Sequence, residues 1–230
     1  MSRKKKDTKK EILESPEALA EKLEVAEDWI EQNSRLLIGI GAVVVLAVAG
    51  YFGYKYYLNN RDNEAQRQMF QAVYYFESDS LDLALNGDGN NLGFVDIADE
   101  YGSTNAGNLA AFYAGASYLK QGKYELARLY LQDFKSKDLL VQARAYSLIG
   151  DAYMEEENYE QAVNFYRKAA NYKPNKYYTP TYLMKEALAC EKLNDTAGAK
   201  KAYQTIIDKY WESAEFQNAR KFIARLNGNS

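Results

Sequence analysis

From Leu36 to Tyr54 the chain carries nineteen consecutive uncharged residues, LLIGIGAVVVLAVAGYFGY, and no other stretch of its 230 residues is like it. A helix rises about 1.5 Å per residue, so this run would extend roughly 28 Å, close to the hydrocarbon thickness of a bilayer. Tyr51, Tyr54, Tyr56 and Tyr57 stand where an aromatic belt would meet one interface, and Lys55 ends the run. The pattern predicts one transmembrane helix over residues 36–58. A cleaved signal peptide is the competing reading, but its apolar core is usually shorter and closer to the start, and no small-residue cleavage site precedes a clear mature start.

Orientation follows from lysine and arginine, which resist translocation. Arg3, Lys4, Lys5, Lys6, Lys9, Lys10, Lys22 and Arg35 precede the span, whereas only Lys55, Arg61 and Arg67 follow closely. Residues 1–35 are therefore expected in the cytoplasm and 59–230 on the exported side. The exported part is one domain's worth of chain, enough to bury a core. Its 20 basic and 23 acidic residues leave a charge of about −3, which argues against nucleic acid as a partner.

The chain has no histidine and one cysteine, Cys190. Without histidine there is no Ser-His or Cys-His triad, and most zinc sites are excluded. A single cysteine makes no internal disulfide, and in a helical slot among small residues Cys190 reads as a buried, inert hydrophobe. Glu155-Glu156-Glu157 is the nearest thing to a carboxylate constellation, and it reads as a solvated helix end before Asn158. No catalytic residue, cofactor or metal ligand is expected.

Ahead of the span, residues 1–10 read as a solvated basic arm with a weak hold on anionic membrane lipid. A helix then begins near Ser15, which can cap it, with Pro16 in the first turn and Glu17 at the positive end of the dipole. Leu19, Leu23, Ala26 and Ile30 form a narrow apolar stripe on this helix. Eight carboxylates against one lysine between Glu11 and Ser34 would be repelled by an anionic leaflet. A basic protein surface or plain solvent remains for that helix.

After Leu58 the chain reads as successive helices, with a self-similarity of about 35 residues. Gly115 is followed by Tyr118, Ala127 and Leu131 at offsets of three, twelve and sixteen; Gly150 is followed by Tyr153, Ala162 and Tyr166 at the same offsets, then by Ala169 and Pro174. A weaker copy has Ala187, Cys190, Ala199, Tyr203 and Ile206. The small residue on the first helix of each pair lets the second approach closely, and the small residue twelve further on is its expected counterpart. Residues 121–124, 157–159 and 193–196 are the turns within pairs. Pro174 ends the second pair, and Pro180 sits at the opening of the third.

This is the tetratricopeptide repeat pattern. The predicted fold is all-α: a single N-terminal transmembrane helix followed by a tetratricopeptide-repeat α-solenoid, with repeats at about 108–135, 143–174 and 180–210. A divergent helix pair over 63–76 and 92–101, joined by a loop at 86–91, precedes the repeats. A capping helix over 213–226 follows them, with Phe216, Ala219, Phe222, Ile223 and Leu226 turned inward.

Two binding surfaces are predicted. On the concave face, the first helices should present Phe112, Ala116 and Leu119, then Ser147, Asp151 and Met154, then Met184 and Leu188. On the span, Gly39, Ala42, Leu46, Ala49 and Gly53 fall on one largely small-residue face that would admit a neighbouring helix.

A short cytoplasmic segment, one span and a small exported repeat domain together resemble the YfgM family. The stretches Glu31-Gln32-Asn33-Ser34-Arg35 and Gly53-Tyr54-Lys55-Tyr56-Tyr57 look like that family's membrane flanks. Asp99-Glu100-Tyr101 followed by Thr104, and Asp208-Lys209-Tyr210 before Ser213, are similar to its inter-helix junctions. The resemblance covers residues 26–226. It implies a non-enzymatic ancillary subunit of the SecYEG translocon in the inner membrane of Gram-negative bacteria, holding a periplasmic chaperone of the PpiD type beside it. It also implies a cytoplasmic part in stress-regulator control. An outer-membrane assembly factor of the repeat type would need a lipobox cysteine shortly after a signal, and Cys190 is the only cysteine. A cell-envelope scaffold independent of the translocon is the alternative.

Overall fold

The computed structural model describes residues 16–228; the roles expected of residues 1–10, of Ser15 and of the Pro16 and Glu17 side chains fall outside what is described. The chain divides between Tyr57 and Leu58 into two compact units. The first holds α1 (Pro16–Gln32) and the opening part of α2 (Ser34–Glu77). Asn33 joins them: its side-chain amide and its backbone N–H both donate to the Trp29 carbonyl. In α1 the stripe residues Leu19, Leu23 and Ile30 are exposed, and so are Val25 and Trp29. The most apolar 18 residues of α2 have a mean hydropathy of 2.4 and none is buried, as a lipid-facing helix requires.

The second unit starts with the end of α2, where Ala65, Met69 and Ala72 are buried. Residues 63–76 are thus the continuation of the membrane helix. The expected single loop after it also contains a further short helix, α3 (Leu81–Asn86), before α4 (Phe94–Tyr101). Asp88 organises the connection between them. It accepts from the Asn91 side-chain amide at 2.9 Å, from the Tyr75 hydroxyl at 2.7 Å, and from the Asn91 and Asn90 backbone N–H groups at 2.7 and 2.8 Å. These donors hold its carboxyl far below the ordinary carboxylate range.

Three antiparallel pairs follow: α5 (Asn105–Lys120) with α6 (Tyr124–Asp133), α7 (Val141–Glu155) with α8 (Tyr159–Asn171), and α9 (Thr179–Lys192) with α10 (Thr196–Lys209). The chain closes with α11 (Phe216–Gly228). That last helix begins three residues later than expected, because residues 210–216 form turns in which Ser213 donates to the Tyr210 carbonyl and accepts from Phe216. Its Ala219 is buried, with Phe222, Ile223 and Leu226 packed on the same cluster.

Local chemistry explains the helix starts. Thr104 Oγ1 accepts from Gly107 N–H at 3.0 Å, Asn158 caps α8 through Gln161 N–H, and Asp195 caps α10 through Gly198 N–H at 2.9 Å. Asp62 on α2 adds a hydrogen bond of 2.8 Å from the Ala106 N–H, tying α2 to the first turn of α5. Within each pair the turn needs one residue in the left-handed region: Gly122 (φ 73°), Glu157 (φ 57°) and Asn194 (φ 58°). They lie seven residues after Gly115, Gly150 and Ala187 respectively. In the middle pair the reversal therefore falls on Glu157, with Asn158 freed to act as the cap.

The close approach within pairs brings in the small residue twelve positions on, since the Ala127 carbonyl oxygen would lie 2.9 Å from a Cβ on Gly115, and also a larger side chain four residues further along. A Cβ built on Gly150 would lie 2.7 Å from the Tyr166 ring, and one on Gly115 would lie 2.5 Å from Leu131 Cγ. The side chain sixteen positions on therefore seats directly over the glycine. Gly150→Leu should lower stability by about 1–3 kcal/mol through overpacking, and a thermal melt unchanged from wild type would refute this register. Glu157→Gly should raise stability by about 1 kcal/mol by relieving a left-handed non-glycine residue, as read from the urea midpoint.

Candidate binding surface

The first helices α5, α7 and α9 carry the residues predicted for the concave face. Phe112 belongs to the core: only 7% exposed, it packs with Leu131, Phe134, Ala145 and Ile149 between the first two pairs. Ala116 and Ser147 are also buried, whereas Leu119, Asp151, Met154 and Met184 are half-buried and Leu188 is exposed. Met184 packs against the core cluster shared by the second and third pairs, and the neighbouring Thr181 hydroxyl donates to Glu215 at 2.6 Å. The eight residues therefore form no continuous exposed apolar seam.

What the structure opens instead is a groove between α7 and α9. It encloses about 340 Å³ and is lined by Leu140, Val141, Arg144, Ser147, Leu148, Tyr178, Tyr182 and Lys185. A second hollow of about 490 Å³, between Asn105, Asn108, Leu109 and the segment Phe134 to Lys137, shares Val141 with it. Of the predicted residues only Ser147 lines the groove. The facing stripes were present in the sequence as 141, 144 and 148 on one helix and 178, 182 and 185 on the other. The side of α9 that carries Thr181 is tied to the segment ahead of α11 through Glu215, and the 178/182/185 stripe is left for the groove.

Asp151 works as a bolt rather than as an open contact. It accepts from Lys185 Nζ at 2.7 and 2.8 Å, across the gap to the next pair, and from the Tyr166 hydroxyl at 2.7 Å within its own pair. The next pair repeats the arrangement: the Tyr203 hydroxyl donates to Glu191 at 2.6 Å, and Arg225 of α11 pairs with the same carboxylate. Burial and the facing carboxylates push both tyrosine hydroxyls well above their ordinary range, so both remain donors. Cys190 is fully buried and its thiol is pushed up to about 11, mainly by that burial, which leaves it protonated and unreactive.

The lip of the groove is set by Asp138, whose carboxylate accepts from the Leu140 and Val141 N–H groups at 2.7 and 3.0 Å. These backbone bonds hold its carboxyl below the ordinary range. The folded form thus prefers the ionised carboxylate: its contribution is present above the unfolded-state value and is lost as pH falls through the lowered one. Acidification below about pH 4 should cost wild type more stability than Asp138→Asn, in paired denaturation series across that range. In a second test, Tyr166→Phe should cost about 1–2 kcal/mol, since it removes a hydrogen bond to a charged acceptor while keeping the ring over Gly150.

The comparison with known families agrees with this architecture. Residues 143–176 match the tetratricopeptide repeat, and so do residues 109–138 and 182–213. No curated protein is significantly similar to the chain. The protein is thus an all-α chain with one N-terminal transmembrane helix followed by an α-solenoid of tetratricopeptide repeats, an architecture suited to binding other proteins.

Proposed function

We propose that the protein is a membrane-anchored, non-enzymatic scaffold, an ancillary subunit of the Sec translocon that links SecYEG to a periplasmic chaperone of the PpiD type during export. The scaffold reading rests on one observation: an apolar groove with Arg144 and Lys185 at its edges, held open between repeats by the Asp151 bolt. Such a groove on the first helices suits a segment of another protein. The finer identity rests on the topology and membrane flanks that resemble the YfgM family. In this reading residues 1–35 are cytoplasmic, 59–230 are periplasmic, and the span docks through Gly39, Ala42, Leu46, Ala49 and Gly53. A Cβ on Gly39 or Gly53 would meet nothing within 4 Å, so that face leaves room for a neighbouring helix.

Intact protein purified in mild detergent should bring the translocon and the chaperone with it. Ile at both Ala49 and Gly53 should remove most of the recovered partner while leaving insertion intact. Arg144→Glu combined with Leu148→Asp should release the chaperone, with the melt as its control because Leu148 also packs against the cluster around Phe112. Leu119→Asp with Met184→Asp tests the wider concave face, with the melt as its control because Met184 packs on the core. Partner recovery unchanged by all three double substitutions would overturn the reading. Recovery of envelope-assembly proteins in place of the translocon would favour the independent scaffold.

A further inference from the structure

Away from the groove, the turn ahead of α9 and the segment joining α10 to α11 enclose a hollow of about 380 Å³. Its walls include Lys176, Tyr177, Lys209, Trp211, Glu212 and Ser213, with Glu215 at the edge, and none of these lines the α7–α9 groove. That volume lies within the range of small-molecule sites. Tyr177 is 73% exposed and Trp211 is 64% exposed, so two aromatic side chains lining one hollow are open to solvent.

Both rings sit on braced backbone. The Tyr177 and Tyr178 N–H groups donate to Asn175 Oδ1 at 3.1 and 2.9 Å, and Asn175 N–H donates to Thr179 Oγ1 at 2.8 Å. On the other wall Tyr210 donates to the Ile206 carbonyl and Ser213 to the Tyr210 carbonyl, each at 2.9 Å. Ser213 supplies an independent observation: its Oγ is buried yet has no hydrogen-bond partner among the described residues. A buried hydroxyl left unpaired is costly, and rotation of the half-buried Ser213 side chain about χ1 to meet a ligand group in the hollow would relieve that cost.

The charges decide the class of ligand. Two ammonium groups and two carboxylates share the rim and cancel, so the hollow selects neither an acidic nor a basic segment. What fits is a neutral molecule with a flat apolar face for the rings and an edge of groups that both donate and accept hydrogen bonds. Its hydroxyls can donate to Glu212, accept from Lys176 or Lys209, and pair with Ser213. We propose that this hollow is a saccharide-binding site, with a pyranose ring stacked on Trp211 and Tyr177.

The sequence contains two tryptophans, Trp29 and Trp211, so Trp29→Phe in the full chain makes Trp211 the sole indole reporter. In a detergent without a sugar headgroup, the tetramers of β-1,4-linked N-acetylglucosamine and of β-1,4-linked glucose serve as probes. At least one should give a saturable change in Trp211 emission, with a midpoint on the order of 1 mM. The midpoint should stay put between about 50 and 500 mM salt, since no net charge is matched. Tyr177→Ala should weaken it by about tenfold or more, and Ser213→Ala by several-fold, with the helical melt unchanged. No response to either sugar, or a response that survives Tyr177→Ala, overturns the proposal; so does a response restricted to a charged or aromatic decapeptide.

Discussion

The seating of a large side chain over a glycine or alanine holds the repeat unit together. Leu131 lies over Gly115 and Tyr166 over Gly150. At the same offset in the third pair stand Tyr203 and Ala187, both fully buried. The small residue brings the two helix axes close, and the large one fills the resulting space. At the interior's packing density, neither can change size alone. Turn chemistry serves the same geometry, because a pair this close can be joined only by a sharp reversal, which places one left-handed residue in each turn.

The two tyrosines add a second layer that leucine at the same position in the first pair lacks. Each hydroxyl reaches a carboxylate on its own first helix, and each carboxylate also takes a cation from the next element, Lys185 or Arg225. One side chain thus couples the packing within a pair to the spacing between pairs. In a stack whose neighbours touch only neighbours, such couplings set curvature and hence the width of the groove. The anionic partner is only partly buried, so its value lies more in fixing geometry than in raw stability.

The apolar helix obeys a different solvent. Its side chains are exposed along the run except for the half-buried Leu37, and its glycines face open space. In the repeat unit, by contrast, Gly115, Ala127, Gly150, Ala162, Ala187 and Ala199 at the pair interfaces are all buried. The same residue types therefore serve two ends: a backbone approach already completed inside the repeats, and a surface left open along the span.

Much of this was legible in one dimension. The span needs only length and the absence of charge, and the repeats need only a period and residue size, so both could be read from the order of residues. The offset of sixteen that matters most was visible as Leu131, Tyr166 and Tyr203. Its seating over the glycine, beside the alanine at offset twelve whose carbonyl oxygen would lie 2.9 Å from a Cβ on Gly115, required helix rotation to be known. The same limit explains the concave face. Phe112 and Leu148 are equally apolar in sequence, yet Phe112 is sealed in a core and Leu148 lines a groove, because exposure on a first helix depends on what the adjacent pairs cover. Likewise Asp151 and Lys185 lie 34 residues apart, and only the packing of both α7 and α9 against α8 brings them together. Local pattern thus determined the elements and their order; contacts distant in sequence decided which of their faces remain open.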